Sequence, residues 1–399
     1  MERNDVRRAW EGDMKLLRLV VPILAGLVLA GGTLVAFARS APAPASPPGP
    51  RASETDLLPA GSAEDIHIDS TGKVWVTEND AGAARQLDPA TGAYTLYTGL
   101  TGARDAQIGP DGNLWWTTDE AATVGRMSLA RRTVTTWTIA LPFGALNLAF
   151  DAGQRVWLLG GGSPGVYQFD PNSGVLCSFA LPGAGGGLFI AAHNGALWFA
   201  DDVNVGVGRI TPTTNAYTFW PLNFGLSTNL EGLTFAPNGD VWLADHDTPA
   251  IVRLQPDANR ATAFGLPGLD SPVQLAYHAG QIWFAQEVTD TIGFIDPAAA
   301  GGDTPQVVTP TTSTLAPICL GGSGALTTTA GISSGVASFS PLALTSTVHT
   351  GGTLYRLPAG SLTYGLAFNN FDLWLPDNGR DKLVRLDTAL RLYLPLVHR

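Results

Sequence analysis

Gly72-Lys73-Val74-Trp75 returns along this chain as Gly112-Asn113-Leu114-Trp115, Gln154-Arg155-Val156-Trp157, Gly195-Ala196-Leu197-Trp198, Gly239-Asp240-Val241-Trp242, Gly280-Gln281-Ile282-Trp283 and Phe371-Asp372-Leu373-Trp374. The tryptophans stand 40, 42, 41, 44, 41 and 91 residues apart. A period of that length, built from short apolar runs, is the signature of a β-propeller with one sheet per repeat. One unit reads as Leu233-Thr234-Phe235, a Pro237-Asn238-Gly239 turn, Asp240–Ala244, then Ala250–Leu254, a turn, and Ala261–Phe264. Strand lengths and turn residues both obey hairpin rules. The fold expected is all-β: a seven-bladed β-propeller of four-stranded antiparallel blades. Its blades fall at roughly 63–100, 101–142, 143–182, 183–225, 226–267, 268–358 and 359–397. A tryptophan on every second strand packs in the layer between neighbouring blades.

The 91-residue step holds an insertion rather than an eighth blade. Residues 299–352 contain no Trp and no turn–strand phrase, and Thr353-Leu354-Tyr355-Arg356 resembles a fourth strand. The insertion, rich in Thr, Ser and Gly, therefore leaves blade six between its third and fourth strands. It is expected as a hairpin or a loose loop on the face opposite the ligand funnel. Two segments compete to close the ring, Asp56-Leu57-Leu58 and Arg391–Val397.

The chain has 399 residues and a net charge of −11, with 14% charged residues. That balance argues against nucleic-acid binding, which needs a basic footprint. Leu16–Phe37 is mostly apolar and follows Arg7, Arg8, Lys15 and Arg18; Ala36-Phe37-Ala38 and a Pro/Ala-rich linker come next. Residues 1–50 therefore read as a secretory signal peptide or an uncleaved signal anchor, and 51–399 as the propeller. Either reading places the propeller outside the cytoplasm, at the cell surface or beyond it, as a monomer that touches a membrane only through the leader. Cys177 and Cys319 fall in different blades and are expected to stay unpaired.

Antiparallel blades bring the start of each inner strand and the end of each second strand to one face. The first ring of candidates is Glu64, Arg104, Leu146, Gly187, Glu231, Val273 and Tyr364. The second follows each tryptophan by three or four residues and includes Glu78, Asp201, Asp202, Asp245, His246, Gln286, Glu287, Asp377 and Asn378. Carboxylates that converge suit a hard cation, Mg²⁺ or Ca²⁺, with Glu64, Glu78 and Asp245 as candidate ligands. Glu64, Arg104, Tyr364, Asp201, Asp377 and Asn378 are candidates to bind a ligand, and Glu231, Glu287 and His246 to act in catalysis. The competing reading of any single carboxylate is a loop residue that accepts backbone N–H bonds.

Ile108-Gly109-Pro110-Asp111-Gly112-Asn113-Leu114-Trp115 with Val124-Gly125-Arg126, and Leu197-Trp198-Phe199-Ala200-Asp201 with Val207-Gly208-Arg209-Ile210, resemble the repeats of the streptogramin B (virginiamycin B) lyases. The resemblance spans about residues 60–390. It implies a seven-bladed propeller. In members with lyase activity it further implies Mg²⁺ that polarises a depsipeptide, a base that removes a proton, and an ester oxygen that leaves by elimination. The family pattern places His at the start of the inner strand in the last two blades, where this chain has Val273 and Tyr364. It places Glu in the last blade, where this chain has Asn378; Trp283-Phe284-Ala285-Gln286-Glu287 carries a Glu one blade earlier.

Two functions are compatible with these residues. One is a propeller that binds a small molecule or an extracellular partner in an acidic funnel. The other is a metal-dependent carbon–oxygen lyase with Glu231 or Glu287 as base. A calcium-dependent lactonase is a third reading, though such propellers usually have six blades.

Overall fold

The structure is a computed structural model that describes residues 51–57, 63–118, 123–139, 141, 145–160, 165–222, 225–226, 229–321, 324–370 and 372–388. The expected leader and linker at 1–50 and the tail Arg391–Val397 lie outside the described residues. Residues from Pro48 onward belong to one compact unit. It is a ring of seven antiparallel blades, as the tryptophan period requires, and each blade has five strands rather than four.

Four strands per blade follow the repeat. Blade one is Ala63–Ile68, Val74–Glu78, Ala83–Leu87 and Ala93–Thr98. The repeat residues build the layer between blades. Trp75, Trp115, Trp157, Trp198, Trp242, Trp283 and Trp374 are all buried. The aspartate of the first turn accepts the indole N–H in three blades: Asp69 from Trp75 (2.8 Å), Asp111 from Trp115 (2.9 Å) and Asp151 from Trp157 (2.8 Å). The third-strand Gly-Arg pair is explained the same way. Gly125 and Gly208 lie opposite Trp116 and Phe199, and a Cβ on either would come within 2.1 Å of the aromatic ring. Arg126 then stacks over Trp115 and Trp137, and Arg209 over Trp198 and Trp220, at 5.2–5.5 Å. The signature that marks the family is thus packing chemistry.

The N-terminal segment closes the ring. Arg51–Asp56 pairs with Lys382–Asp387 as the fourth strand of blade seven, with Ala52 opposite Leu386 and Thr55 opposite Leu383. Leu57 is fully buried behind it. Arg380 clamps Glu54 at 2.6 Å, and Lys382 pairs with Asp56.

The insertion is neither a hairpin nor a loose loop. It leaves blade six after Thr291–Ile295 and makes one full circuit of the ring, supplying the fifth strand of every blade. Gln306–Val307 pairs with blade five, Thr311–Thr314 with four, Ile318–Leu320 with three, Ala325–Thr329 with two, Gly331–Val336 with one and Ser340–Leu342 with seven. Thr345–His349 returns to blade six and turns into Gly352–Arg356, that blade's fourth strand. Sheet twist explains how one chain can do this. At roughly 20–25° per strand, the fifth strand lies about 90° from the first, along the circumference rather than the axis.

The belt docks with a seven-residue beat. Val308, Leu315 and Ala330 are buried, and Ala337 and Leu344 pack partly against the core. The N–H groups of Val308, Leu315, Ala330 and Ala337 donate to the carbonyls of Asn259, Asn215, Arg132 and Gly92 at 2.7–2.9 Å. Those four acceptors all have positive φ and close the third-to-fourth-strand turns. Seven extended residues span about 23 Å, the reach from one docking turn to the next.

Cys177 and Cys319 are opposite each other where the belt crosses blade three, and they form a disulfide. The expectation that different blades would keep them apart was wrong because the belt brings Cys319 to blade three.

Candidate funnel site

The inner strand of five blades carries a bulge at the same place: Ala63/Ile66, Ala103/Ala106, Ala145/Asn147, Glu231/Leu233 and Pro272/Leu275. Bulges re-aim side chains, and here two kinds of residue result. Glu64 and Arg104 form a loose, partly exposed ion pair at 3.8 Å. Their neighbours Asp65, Asp105 and Asn147 clasp blade to blade. Asp65 accepts the Ala106 N–H (3.4 Å), Asp105 the Leu148 N–H (2.6 Å) and Asn147 the Ile190 N–H (2.8 Å). Sequence reasoning stopped one residue short of these three, although they recur at the tryptophan period.

Asp65 and Asp105 face each other across the seam of blades one and two. Burial, then the charge and hydrogen bond of Asp105, hold Asp65 well above the usual carboxylate range. Burial raises Asp105 to about 6. The native state therefore keeps protons that the unfolded chain releases near pH 4, and stability falls as pH rises from about 4 through 6, and further for Asp65. Asp65→Asn is expected to stabilise the fold at pH 8 by on the order of 1–3 kcal/mol and to flatten that slope. Thermal melts from pH 5 to 9 measure this; an unchanged slope would mean that the pair shares no proton.

The second ring divides by position. Residues three past each tryptophan still lie within the strand, and Glu78, Thr118, Asp201, Asp245, Gln286 and Asp377 are buried. Asp201 accepts N–H bonds from Val203 (3.1 Å) and Asn204 (2.9 Å), Asp245 from Thr248 (3.1 Å), and Asp377 from Leu362 (3.1 Å) and the Ser361 hydroxyl (2.7 Å). Glu78 is fully buried against Arg85, Nε to Oε1 2.8 Å, with burial raising its pKa. Asp201 and Asp377, expected in the funnel, and Glu78 and Asp245, expected on a metal, thus lie buried at the ends of their second strands. These side chains staple the strand-two turns from inside. Among the described residues no three His, Cys, Asp or Glu side chains gather to hold a metal ion. Of the three expected ligands, Glu78 and Asp245 are fully buried and Glu64 is partly exposed.

Residues four past the tryptophan are the first beyond the strand. Their backbone N–H groups bond back to the lead-in of the inner strand: Asp202 to Gly186, His246 to Asn229, Glu287 to Ser271 and Asn378 to Leu362. This shared geometry puts Asp202, His246, Glu287 and Asn378 on the inner-strand face, each in its own blade. Tyr364 lies in the irregular lead-in of blade seven, whose inner strand is only Ala367–Asn369, and Val273 is buried.

His246 and Glu287 meet across the seam of blades five and six. His246 Nε2 lies 3.0 Å from Glu287 Oε2, and Nδ1 lies 2.6 Å from Asp247 Oδ1. Asn229 Nδ2 donates to the same Asp247 oxygen at 3.2 Å. The bond to Glu287, and then that to Asp247, push His246 up to about 9 against the effect of burial, and the charge of Glu231 adds to this. At neutral pH the group is an imidazolium with both nitrogens donating. Its contribution to stability is complete below pH 6.5 and is lost as pH rises through 9. Gly232, between Glu231 and Leu233, has φ +44°, and a Cβ there would lie 2.1 Å from the Val273 carbonyl. Blade five therefore presses against blade six beside this cluster. Of the three catalytic candidates, His246 and Glu287 are thus in contact, and the charge of Glu231 acts on His246. Asp247 and Asn229 were not expected, and neither stands at a repeat position that would have marked it.

The virginiamycin B lyase family model matches residues 59–300, more than half of the chain. The chain belongs to that family. The structure of the virginiamycin B lyase from Staphylococcus aureus is 17% identical and superposes with a TM-score of 0.64, over 84% of this chain and 98% of that one. A catalytically inactive variant of the same enzyme, with a histidine replaced by alanine and with quinupristin, is 18% identical with a TM-score of 0.63 over 84% and 98%. A streptogramin B lyase structure matches at 18% and 0.63, over 84% and 96%. At these identities the structural likeness establishes the fold. No curated protein matches the chain.

Proposed function

We propose that this member of the virginiamycin B lyase family is an exported propeller that binds a small extracellular molecule at the funnel rim over the seam of blades five and six. The observation that carries the reading is the 3.0 Å contact between His246 and Glu287, made across that seam by residues of neighbouring repeats. An imidazolium held between Glu287 and Asp247, with the charge of Glu231 acting on it, leaves a net negative rim, which suits a neutral or cationic ligand. The disulfide of belt and blade three supports export, since such bonds persist in oxidising compartments.

A carbon–oxygen lyase is the second reading, and the proximity of Glu231 to a protonated His246 favours it. A carboxylate would take the proton from carbon, the C–O bond would break as C=C forms, and the His246 Nε2–H, turned from Glu287, would donate to the departing ester oxygen. No water enters, so the product keeps the substrate's mass. These residues supply the acid and the base, and no step is assigned to a metal.

The test uses residues 48–399 with a cyclic depsipeptide and with a simple lactone, followed by calorimetry and by chromatography with mass detection. Heat of binding without product supports the binder. A product of unchanged mass supports the lyase, and one heavier by a water molecule indicates a lactonase. His246→Gln is expected to weaken binding or turnover about 10–100-fold, the loss of a charge-assisted hydrogen bond. Binding or turnover that His246→Gln and Glu287→Gln leave untouched would remove the site from the reading.

A further inference from the structure

We propose that two copies of this chain associate through the belt strand Gly331–Val336, which pairs antiparallel with its own copy and joins the two first blades into one continuous sheet. Among the described residues no strand pairs with the outer edge of this fifth strand, and edges that proteins keep free are blunted with charge. This one is not. From Thr304 to Val348 the belt has no charged residue, in a chain of net charge −11. The belt itself adds no charge to such a contact, while Lys73, Asp88 and Arg132 line the clefts beside it. It also exposes aliphatic side chains, among them Val307, Leu326, Ile332 and Val336, whereas the rest of the described residues expose few large apolar groups.

Gly331–Val336 is the longest belt strand, paired over its whole length with Ala93–Thr98. Ile332, Ser334 and Val336 share one face, and the pattern apolar–hydroxyl–apolar reads the same in both directions. A two-fold axis through Ser334 sets each Ile332 against the partner copy's Val336, and Ser334 against itself. On the opposite face Ser333 is exposed, and Tyr94 lies over Gly335, its hydroxyl 2.6 Å from where a Cβ would stand. Clefts of about 410 and 320 Å³ flank the strand, one on the Tyr94–Gly335 side and one on the Tyr97–Ile332 side, with Ser334 lining both. Strand addition gains affinity from main-chain bonds and specificity from pockets that take alternate side chains. The belt runs along the circumference in one rotational sense. Two coplanar rings with their funnels on the same side therefore present antiparallel edges where they touch, as an isologous dimer requires.

Light scattering after size exclusion, run on residues 48–399 at about 1–100 µM, tests this. A mass that doubles with concentration is expected. Ile332→Lys with Val336→Lys places lysines face to face across the axis and is expected to hold the protein monomeric over that range, while Val348→Lys, elsewhere on the belt, leaves the dimer intact. Ser334→Cys is expected to give a covalent dimer on oxidation and Val348→Cys none, a readout that survives if the double lysine variant fails to fold. A wild-type protein that stays monomeric, a dimer that persists in a folded double variant, or no cross-link through position 334 would each overturn the proposal.

Discussion

Replacing Arg85 with alanine is expected to destabilise the propeller by about 3–5 kcal/mol, the usual cost of stranding one member of a buried ion pair. Glu78 is fully buried, its Oε1 is held by Arg85 at 2.8 Å, and its Oε2 has no hydrogen-bond partner. Arg85 also stacks over Tyr94 at 4.4 Å, so alanine removes packing as well as charge. Without the guanidinium, Glu78 must take up a proton to stay buried. Because burial already raises its pKa, the variant binds more protons folded than unfolded. The deficit should therefore grow as pH rises and shrink toward the ordinary carboxylate range. Urea titrations at pH 5 and pH 8 measure both effects. Glu78→Gln combined with Arg85→Met should recover most of the loss, since no charge remains to be solvated. A loss below about 1 kcal/mol for Arg85→Ala, or one independent of pH, would show that the pair is not the buried clamp described.

Cys177→Ser with Cys319→Ser is expected to cost about 2–4 kcal/mol. The cross-link closes a loop with a sequence separation of 142, which is long, so its removal releases much entropy in the unfolded chain. Hydrogen exchange should locate the effect: amides of residues 306–320 should open first in the variant, while inner strands keep their protection. Reduction of the wild-type protein should reproduce the result. Equal melting temperatures and equal exchange would mean that the belt is held without its disulfide.

The blade plan was legible because it rests on local chemistry. The tryptophan, the turn aspartate, and the third-strand glycine and arginine contact one another within a repeat, so the same phrase recurs wherever the same contacts do. The ring closure was not legible, since Asp56-Leu57-Leu58 and Arg391–Val397 are both apolar strand-like segments. In the structure Arg51–Asp56 takes that place. The site was legible by ring and not by residue. Asp245 and His246 are adjacent, yet the first lies inside the strand and is buried, while the second is just beyond it and meets Glu287. One peptide unit at the end of a strand decides between a staple and a funnel group, and strand ends are what sequence patterns define least well.

The belt marks the division most clearly. Val308, Leu315, Ala330, Ala337 and Leu344 carry a beat of about seven residues that stands in the sequence, but it matches neither helix nor strand and has meaning only against seven docking turns. By itself the sequence determined seven repeats, their strands and the packing between them, because amphipathic alternation and turn residues act over a few positions. Only the tertiary structure decided where residues 299–352 run, that Cys177 meets Cys319, and that His246 sits against Glu287. Those pairings join segments from 41 to more than 200 residues apart, and the edges that select them exist only once the ring has formed.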